Sequence, residues 1–426
     1  MSHQNLSRIY DRIKVSPEHR FQLRHAKLLD FLCSFQKHHP EHFHLEKIGE
    51  SVEKRDIFLV RIGSGKRRIF MWSQMHGDEW TATNALVDVF AFLLENPEGQ
   101  LGNSILNNVT IYAIPMLNPD GAEKNRRRNA QGLDINRDVK LLATPEARIL
   151  TSTQEKLKPE FALNLHDQNP RRTSARTNKI VSIALLVPPL DPDHTETANI
   201  LEAKKLASVM ADALNPHIAK HLARYNAEYM PTAFGEFFQK AGTKTILLET
   251  GGWKLDEESF LVKMNFVAIL SACSAIADNS YQQFDASIYE SLPLNNNDKD
   301  VFDILIRRAL ILNGVQQEPF LGDVGVDVQA TFENGSSRLE LVVTDLGDLS
   351  QYEGKSVFDA EGFLVVPGIM PKAPSNQIRK LDVQGQLNLE GPGEMSFFRL
   401  KAPAAIETEP HALLKNGLVS VTNEVK

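Results

Sequence analysis

The stretch Arg68–Glu95, RIFMWSQMHGDEWTATNALVDVFAFLLE, joins the pattern of a buried strand to the pattern of an amphipathic helix. Arg68–Ser73 is a short apolar run, and the apolar residues of Thr81–Glu95 recur at helical spacing. A polar turn that contains His76 and Glu79 separates the two segments. This alternation is typical of an α/β protein, in which helices cover a buried sheet.

The same alternation continues on both sides of this stretch. The other predicted strands are short, continuous apolar runs: Ile57–Ile62, Val109–Ile114, Phe161–Leu165, Val181–Val187 and Lys244–Leu248. The other predicted helices carry apolar residues at helical spacing: Phe21–Phe35, Thr197–Leu214 and Phe260–Ala277. Together these segments predict a mixed, mostly parallel sheet with helices on both faces.

The pattern changes near Ser291, where Leu292–Asp298 is polar, turn-rich and typical of a linker. Beyond it lie short alternating runs punctuated by Gly and Pro: Ile304–Ile306, Leu339–Val343, Phe363–Val366, Leu387–Leu389 and Phe397–Leu400. These runs predict an all-β domain. We therefore expect an α/β domain over residues 1–288 and a β domain over residues 300–426, with the boundary near 285–300.

The composition excludes several classes of protein. The chain has 426 residues and a net charge of −7, which argues against a general nucleic-acid coat. Two cysteines exclude a disulfide-rich secreted framework. The N-terminal residues show no apolar signal region, and no run approaches the roughly 18 apolar residues of a membrane span. These features predict a cytoplasmic protein without a nucleic-acid or membrane partner.

The pair His76 and Glu79 is a candidate metal site. Two residues three apart at the first turn of a helix project from the same side, and imidazole and carboxylate are suitable zinc ligands. The spacing alone is a weak signal, because a chain of this composition contains about one such pair by chance. His38-His39-Pro40-Glu41 has the same spacing, but it follows no strand, and we interpret it as solvated surface.

Two further polar residues end predicted strands. His166 ends the run at Phe161–Leu165, and Glu249 ends the run at Lys244–Leu248. A lone histidine there is more often a core residue, but a buried carboxylate is costly unless it is paired or used. Sites in open α/β sheets gather at the carboxyl ends of strands.

A turn, Asn118-Pro119-Asp120-Gly121, leads into a basic run that ends shortly before Asn136-Arg137. A solvated basic loop is the simplest interpretation of that run. The alternative is anion binding, because the planar fork of an arginine can bind both oxygens of a carboxylate.

Taken together, these motifs resemble the zinc carboxypeptidase family of the carboxypeptidase A type. The matching motifs occur in the family's order: HGDEW at 76–80, NPDG at 118–121, GLDINRD at 132–138, LNLH at 163–166 and LLET at 247–250. The resemblance extends over residues from about 20 to 280.

The resemblance implies one zinc ion per chain, with His76, Glu79 and His166 as its ligands and a water in the fourth position. It implies Glu249 as the general base and later the general acid. Asn136 and Arg137 match the family's pair that holds the terminal carboxylate of the substrate.

An arginine of the basic run would polarise the scissile carbonyl, and we choose Arg127. The family's spacing could instead place Lys124, Arg126 or Arg128 at that position. The family's substrate-capping tyrosine corresponds to Tyr225 or Tyr229. The segment Phe234-Gly235-Glu236, by contrast, does not resemble the specificity segment of the digestive enzymes, and Asp78 stands where they often have an arginine.

The leading hypothesis is a zinc-dependent metallocarboxypeptidase that acts on a small peptide or acyl-amino-acid substrate. The alternatives are a cytosolic amidase acting on peptidoglycan-derived peptides or N-acyl-amino acids, and a zinc-binding pseudoenzyme that serves as a binding module. Glu249 argues against the pseudoenzyme, because it is not needed to hold zinc. The basic loops after Ile114 and His166 favour anionic substrates.

The C-terminal part resembles the small β-sandwich that flanks amidohydrolase barrels. The matching segments are Asp303–Ala309, Asp323–Val326 and Asp359–Gly368. In that family a metal-binding His-x-His follows the Pro-Gly, whereas this chain continues with Ile369–Pro374. We therefore predict a metal-free packing or interaction domain.

Overall fold

The structure is a computed structural model of the chain. It describes residues 3–17, 23–95, 99–177, 179–226, 228–254, 258–296, 301–312, 319–333, 336–367, 395–401, 405–406, 412–415 and 418–421. The chain divides into two compact units, Met1–Trp253 with Glu257–Asn297 and Lys254–Asp256 with Asp298–Lys426.

The first unit alternates strands and helices. Its strands are β1 Phe43–Glu50, β2 Asp56–Ile62, β3 Arg67–Ser73, β4 Val109–Ile114, β5 Phe161–Asp167, β6 Thr173–Ser174, β7 Ile183–Leu186, β8 Leu222–Arg224, β9 Lys244–Thr250 and β10 Asn295–Asn296. Its α-helices are α1 His3–Ile13, α2 His25–His38, α3 Thr81–Glu95, α4 Gln100–Asn108, α5 Pro119–Glu123, α6 Pro145–Leu157, α7 Ala198–Ile218, α8 Phe234–Lys240, α9 Glu258–Ala277 and α10 Ser287–Glu290. Short 3₁₀ helices cover Ile135–Arg137, Ala219–His221 and Ser280–Gln283.

Eight of these strands form one mixed sheet in the order β1-β2-β4-β3-β5-β9-β7-β8. The central strands β4, β3, β5 and β9 run parallel to one another, and so do β7 and β8. The pairs β1–β2, β2–β4 and β7–β9 are antiparallel. The prediction of a mixed, mostly parallel sheet is confirmed.

The core lies on both faces of this sheet, because successive side chains of a strand point to opposite faces. In β3, Ile69 and Met71 belong to the larger core cluster, which includes residues of α3, α7 and α9. Phe70 and Trp72 belong to the second cluster, which includes residues of α6 and α8. Helices therefore cover both faces, as the sequence predicts.

One helix among the described residues is long and apolar enough to cross a membrane. It is the segment Ser259–Ala277 of α9, with a mean hydropathy of 1.8, and 78% of that window is buried inside the protein. The prediction that no segment approaches this length and hydropathy is therefore wrong. Packing against α3 and α7 in the larger core cluster accounts for the apolar composition of the helix.

The second unit is all-β over its described residues, as predicted. Its strands are β11 Val301–Ile311, β12 Phe320–Glu333, β13 Ser336–Gly347, β14 Glu353–Asp359, β15 Phe363–Pro367, β16 Met395–Lys401, β17 Ala405–Ile406, β18 Ala412–Lys415 and β19 Leu418–Val421. They form one sheet in which β11 pairs with β12, β14 and β15. The predicted strand Leu387–Leu389 and the segment Ile369–Pro374 lie outside the described residues. The likeness to an amidohydrolase β-sandwich stays a prediction.

Candidate metal centre and active site

The loop between β3 and α3 is fixed by hydrogen bonds of one glutamine side chain. Gln74 adopts the left-handed backbone conformation, with φ of 49°. Its Nε2 donates to the carbonyl oxygen of Gly77 at 2.9 Å, and its Oε1 accepts from Thr83 Oγ1 at 3.0 Å. These bonds tie the loop to the first turn of α3 and set the positions of His76 and Glu79.

The NPDG motif braces the same loop from the end of β4. A Cβ atom at Gly77 would lie 2.0 Å from the carbonyl carbon of Gly121, so only glycine permits this approach. Asn118 accepts a hydrogen bond from Gly121 N at 2.9 Å and donates through Nδ2 to Met75 O at 3.3 Å. The motif therefore has a structural reason: it packs two loops together at the candidate site.

Asp120 extends this bracing to the turn between β1 and β2. Its buried carboxylate accepts hydrogen bonds from Ser51 Oγ at 2.7 Å, Glu53 N at 2.8 Å and Arg55 Nη1 at 2.6 Å. A buried carboxylate needs such partners, because leaving it unpaired is costly.

Three of the predicted residues meet in one buried cluster. His76 Nδ1 lies 2.6 Å from Glu79 Oε1, and His166 Nδ1 lies 2.6 Å from Glu79 Oε2. All three residues are buried, and one potential ligand atom from each lies within 4.8 Å of the others. The structure thus brings together a residue pair from the β3–α3 loop and a histidine from β5.

The electrostatics of the cluster favour a positive charge at its centre. Burial alone lowers the pKa of His76, but the negative charge of Glu79 and a hydrogen bond to Asp134 outweigh it and raise the pKa to about 9. Burial raises the pKa of Glu79, yet the facing imidazoles hold it well below its usual range. A buried carboxylate between two imidazole Nδ1 atoms is a donor set that fits zinc.

Glu249, near the end of β9, lies next to the cluster. His166 and Glu249 are register partners in the parallel pair β5–β9, so they lie side by side on neighbouring strands. Glu249 is buried, and burial raises the pKa of its carboxyl group. The structure therefore places a buried carboxyl group with a raised pKa beside the histidine–glutamate cluster.

Asp134 contacts the cluster, although it was not predicted as a site residue from the sequence. Its Oδ1 lies 3.0 Å from His76 Nε2 and also accepts from Asn136 N at 2.9 Å, capping the 3₁₀ helix. The hydrogen bond to His76 helps to hold the pKa of Asp134 well below its usual range, against the effect of burial. A carboxylate on the outer nitrogen fixes the ring, so that Nδ1 faces Glu79.

Of the four basic candidates, Arg127 contacts the cluster. Its Nη1 lies 3.1 Å from Glu79 Oε1 and 3.1 Å from His76 Nδ1, and its Nη2 donates to Asp134 at 3.1 Å. Lys124 instead forms an ion pair with Glu53.

The other two candidates of the run lie elsewhere on its loop. Arg128 donates through Nη1 to Gly132 O at 3.1 Å. An open cavity of about 370 Å³ is lined by all four candidates, Lys124, Arg126, Arg127 and Arg128. Of these four, Arg127 also contacts the histidine–glutamate cluster.

Asn136 and Arg137 lie on the 3₁₀ helix that follows Asp134. Asn136 is buried, and its Oδ1 accepts a hydrogen bond from Phe234 N at 2.9 Å. Its amide Nδ2 is therefore the end that can donate to a ligand. Arg137 is exposed and donates through Nη1 to Asn136 O at 2.7 Å.

The two candidate tyrosines have different surroundings. Tyr225 is half-buried, and burial and the charge of Glu249 raise the pKa of its hydroxyl group. Tyr229 contacts Lys240, which lies over its ring at 4.9 Å and is hydrogen-bonded to its hydroxyl group. Tyr225 is therefore the candidate that lies near Glu249.

The contact between Asp134 and His76 makes a prediction about metal affinity. Asp134→Ala should weaken zinc binding by about 10–100-fold, the range for removing a carboxylate that orients a metal-binding histidine. Competition against a chromophoric chelator measures the affinity directly. Asp134→Asn keeps the shape of the side chain and can still bond His76. Its zinc affinity should therefore lie between those of the wild type and Asp134→Ala. An unchanged affinity in a folded Asp134→Ala variant would show that Asp134 does not orient His76.

Fold and geometry together describe an α/β protein with a candidate metal centre at the carboxyl edge of its sheet. Residues 28–161 match the sequence model of the family described as zinc carboxypeptidase. Carboxypeptidase D of Drosophila melanogaster is 29% identical over 133 residues, 26% of this chain and 9% of that protein. Cytosolic carboxypeptidase 6 of Mus musculus is 28% identical over 122 residues, 26% of this chain and 22% of that protein.

Solved structures of carboxypeptidases are also similar. A metallo-carboxypeptidase from Pseudomonas aeruginosa has a TM-score of 0.47 at 17% identity, covering 60% of this chain and 68% of that one. Bovine thrombin-activatable fibrinolysis inhibitor, in complex with tick carboxypeptidase inhibitor, has a TM-score of 0.49 at 14% identity. That match covers 60% of this chain and 98% of the other.

The match over residues 28–161 agrees with the resemblance carried by the motifs HGDEW, NPDG and GLDINRD, which lie within it. The chain spans about a tenth and about a fifth of the length of the two curated relatives named above. His166 and Glu249 lie beyond the matched residues, and the pairing of β5 with β9 brings both to the cluster.

Proposed function

We propose that this protein is a zinc-dependent metallocarboxypeptidase that hydrolyses a peptide or amide bond next to a free C-terminal carboxylate. The observation that carries the proposal is the buried cluster of His76, Glu79 and His166 with Glu249 on the neighbouring strand. A metal-binding module needs the first three residues alone. The adjacent buried carboxyl group favours a hydrolase.

His76, Glu79 and His166 would hold the ion, one per chain. A bound zinc supplies Lewis acidity, which lowers the pKa of a bound water and polarises a carbonyl group. His166 Nδ1 lies 2.6 Å from Glu79 Oε2, so Nδ1 is the nitrogen that faces Glu79 and the proposed ion.

Glu249 is the proposed general base. Its burial raises the pKa of the carboxyl group, so it can accept a proton from the attacking water and later deliver it to the leaving amine. A carboxyl group with its ordinary pKa would be the weaker base. Its position beside His166 puts this transfer at the cluster.

Arg127 and Arg137 have separate proposed roles. Arg127 reaches Glu79 and is 45% exposed in its side chain, so its guanidinium can donate to an oxyanion that develops beside the cluster. Arg137, with the amide of Asn136, is proposed to bind the terminal carboxylate and to fix the register of the substrate.

The role of Arg137 is tested by comparing an acid with its amide. Arg137→Ala should cost about 2–5 kcal/mol in kcat/KM for a substrate with a free carboxylate, the range for removing one partner of a charge pair that the bound substrate shields from water. The loss should be far smaller for the matching C-terminal amide. Arg148→Ala is the matched control, because Arg148 is an exposed arginine that bonds only backbone carbonyls of residues 142 and 143 in the described contacts. Equal losses on acid and amide would favour the amidase alternative.

A hydrolysis screen tests the proposed function itself. The screen compares blocked dipeptides, N-acyl-amino acids and peptidoglycan-derived peptides, each with and without a chelator. Chelator-sensitive cleavage of blocked dipeptides supports the carboxypeptidase. Cleavage restricted to the other two classes supports an amidase, and zinc binding without any cleavage supports a binding module. We propose a cytoplasmic location and an accessory role for the C-terminal β domain on the sequence arguments alone.

A further inference from the structure

Arg172 lies on the loop between β5 and β6, six residues after His166. Its backbone is held on both sides, because its N–H donates to Asn169 O at 3.2 Å and its carbonyl oxygen accepts from Val181 N at 2.8 Å. The side chain therefore leaves the backbone from a fixed point close to the end of the strand that carries His166.

The guanidinium of Arg172 is held against an aromatic ring. It lies over the ring of Tyr225 at 4.6 Å from the centroid, and the residue is half-buried. A guanidinium keeps its N–H groups in one plane, and a hydrogen bond with the Tyr225 side chain fixes that plane further. The Tyr225 ring thus orients the N–H donors of the Arg172 guanidinium.

One N–H donor of the Arg172 guanidinium makes no hydrogen bond to the described residues. Arg172 Nη1 is buried, and it has no hydrogen-bond partner in the part of the chain that the structure describes. Leaving a buried charged donor unpaired costs free energy, and such a donor calls for an explanation such as a ligand. The group also interacts electrostatically with Glu249, so it lies near the proposed base.

The chemistry of the missing partner follows from these contacts. A guanidinium fork prefers a carboxylate, to which it can donate two parallel hydrogen bonds. Such an anion near Glu249 would be repelled by that carboxylate unless a cation lay beside it, and Arg172 supplies the cation. Arg127 and Arg137 contact other residues, so Arg172 is available for a second anionic group.

We propose that Arg172 is a specificity-determining residue that binds an acidic side chain of the substrate next to the scissile bond. The preferred substrates are then acidic peptides or acyl-amino acids that carry a second carboxylate besides the terminal one. This inference rests on the proposed function, because it assigns the substrate class of the same site. A substrate with a neutral side chain would leave Arg172 Nη1 buried and unpaired.

The first test is kinetic and uses two pairs of N-blocked dipeptides, with Glu or Gln at either the first or the last position. At one of these positions the wild-type chain should prefer Glu over Gln by about 10-fold or more in kcat/KM. Arg172→Ala should lose about 10–100-fold on that Glu substrate and change little on its Gln partner.

Two further variants control this comparison. Arg176→Ala removes the same charge four residues along the chain, between β6 and β7. Arg176 is exposed and donates to Ser291 O, so the Glu-to-Gln ratio of this variant should equal that of the wild type. Arg172→Lys keeps the charge and loses the planar fork, so its ratio should lie between wild type and Arg172→Ala. Equal losses on Glu and Gln substrates in Arg172→Ala and Arg172→Lys would overturn the proposal, because they indicate a structural role.

The second test measures binding, which does not depend on turnover. Calorimetric titration of the zinc-loaded Glu249→Gln chain with the same peptides should give tighter binding of the Glu peptide, and adding Arg172→Ala should remove the difference. Equal binding of Glu and Gln peptides would overturn the inference. A retained Glu preference in a wild-type chain that hydrolyses nothing would support Arg172 and contradict the proposed function.

Discussion

Replacing Glu249 with glutamine should leave zinc binding intact and reduce kcat by about 10²–10⁴-fold, the usual contribution of a general base. Glutamine has nearly the same shape, but it cannot accept the proton of an attacking water. Zinc stoichiometry and steady-state kinetics on a cleaved dipeptide measure the two effects separately.

A second buried carboxyl group serves as the control for Glu249. Glu146 in α6 is fully buried, its pKa is also raised by burial, and it bonds Asn129 away from the cluster. Glu146→Gln should therefore retain most of the activity. If Glu249→Gln kept more than about a tenth of the wild-type kcat, Glu249 would not be the base.

Replacing His166 with alanine should reduce the bound zinc to well below one ion per chain. All zinc-dependent hydrolysis should be lost with it. Loss of a ligand should weaken binding more than the ~10–100-fold typical of a residue that only orients one. The remaining pair, His76 and Glu79, offers too few protein ligands for a catalytic zinc site, which usually has three. Metal analysis after dialysis gives the stoichiometry.

The control for His166 is His38, the histidine of the His38-His39-Pro40-Glu41 segment, which has the same spacing as His76 and Glu79. His38 is exposed, and its Nδ1 bonds the carbonyl oxygen of Ser34 in its own helix. His38→Ala should bind one zinc per chain, as the wild type should. Undiminished zinc in His166→Ala would remove His166 from the metal centre.

The elements with strong periodicity could be predicted from the sequence. The bounds of α3 and β4 agree with the predicted Thr81–Glu95 and Val109–Ile114, because both segments are almost entirely buried. The strand β1 was missed, since only Phe43 of its eight residues is buried and its sequence has little alternation. Helix α6 was also missed, although Thr144 caps it and Pro145 follows, which is a recognisable start signal.

The candidate site could be predicted in part. His76, Glu79, His166 and Glu249 stand in motifs at strand ends, and the structure brings them together. Asp134 is 58 residues from His76 along the chain, and its hydrogen bond exists only after the loops pack.

The proposed role of Arg172 could not be predicted from the sequence for a similar reason. The basic character of its loop was evident, but its stacking on Tyr225 depends on the approach of two segments 53 residues apart. Contacts between distant loops require the folded chain.

The proposed reactive residues lie on the paired strands β5 and β9, whereas the residues proposed to select a ligand do not. His166 and Glu249 keep their spacing through the main-chain hydrogen bonds of adjacent strands, which side-chain changes barely alter. Arg137 and Arg172, by contrast, stand on connections outside that ladder. Substrate preference can therefore diverge among descendants of this chain through substitutions in the connections, while the distance between the proposed ligand and the proposed base is inherited unchanged.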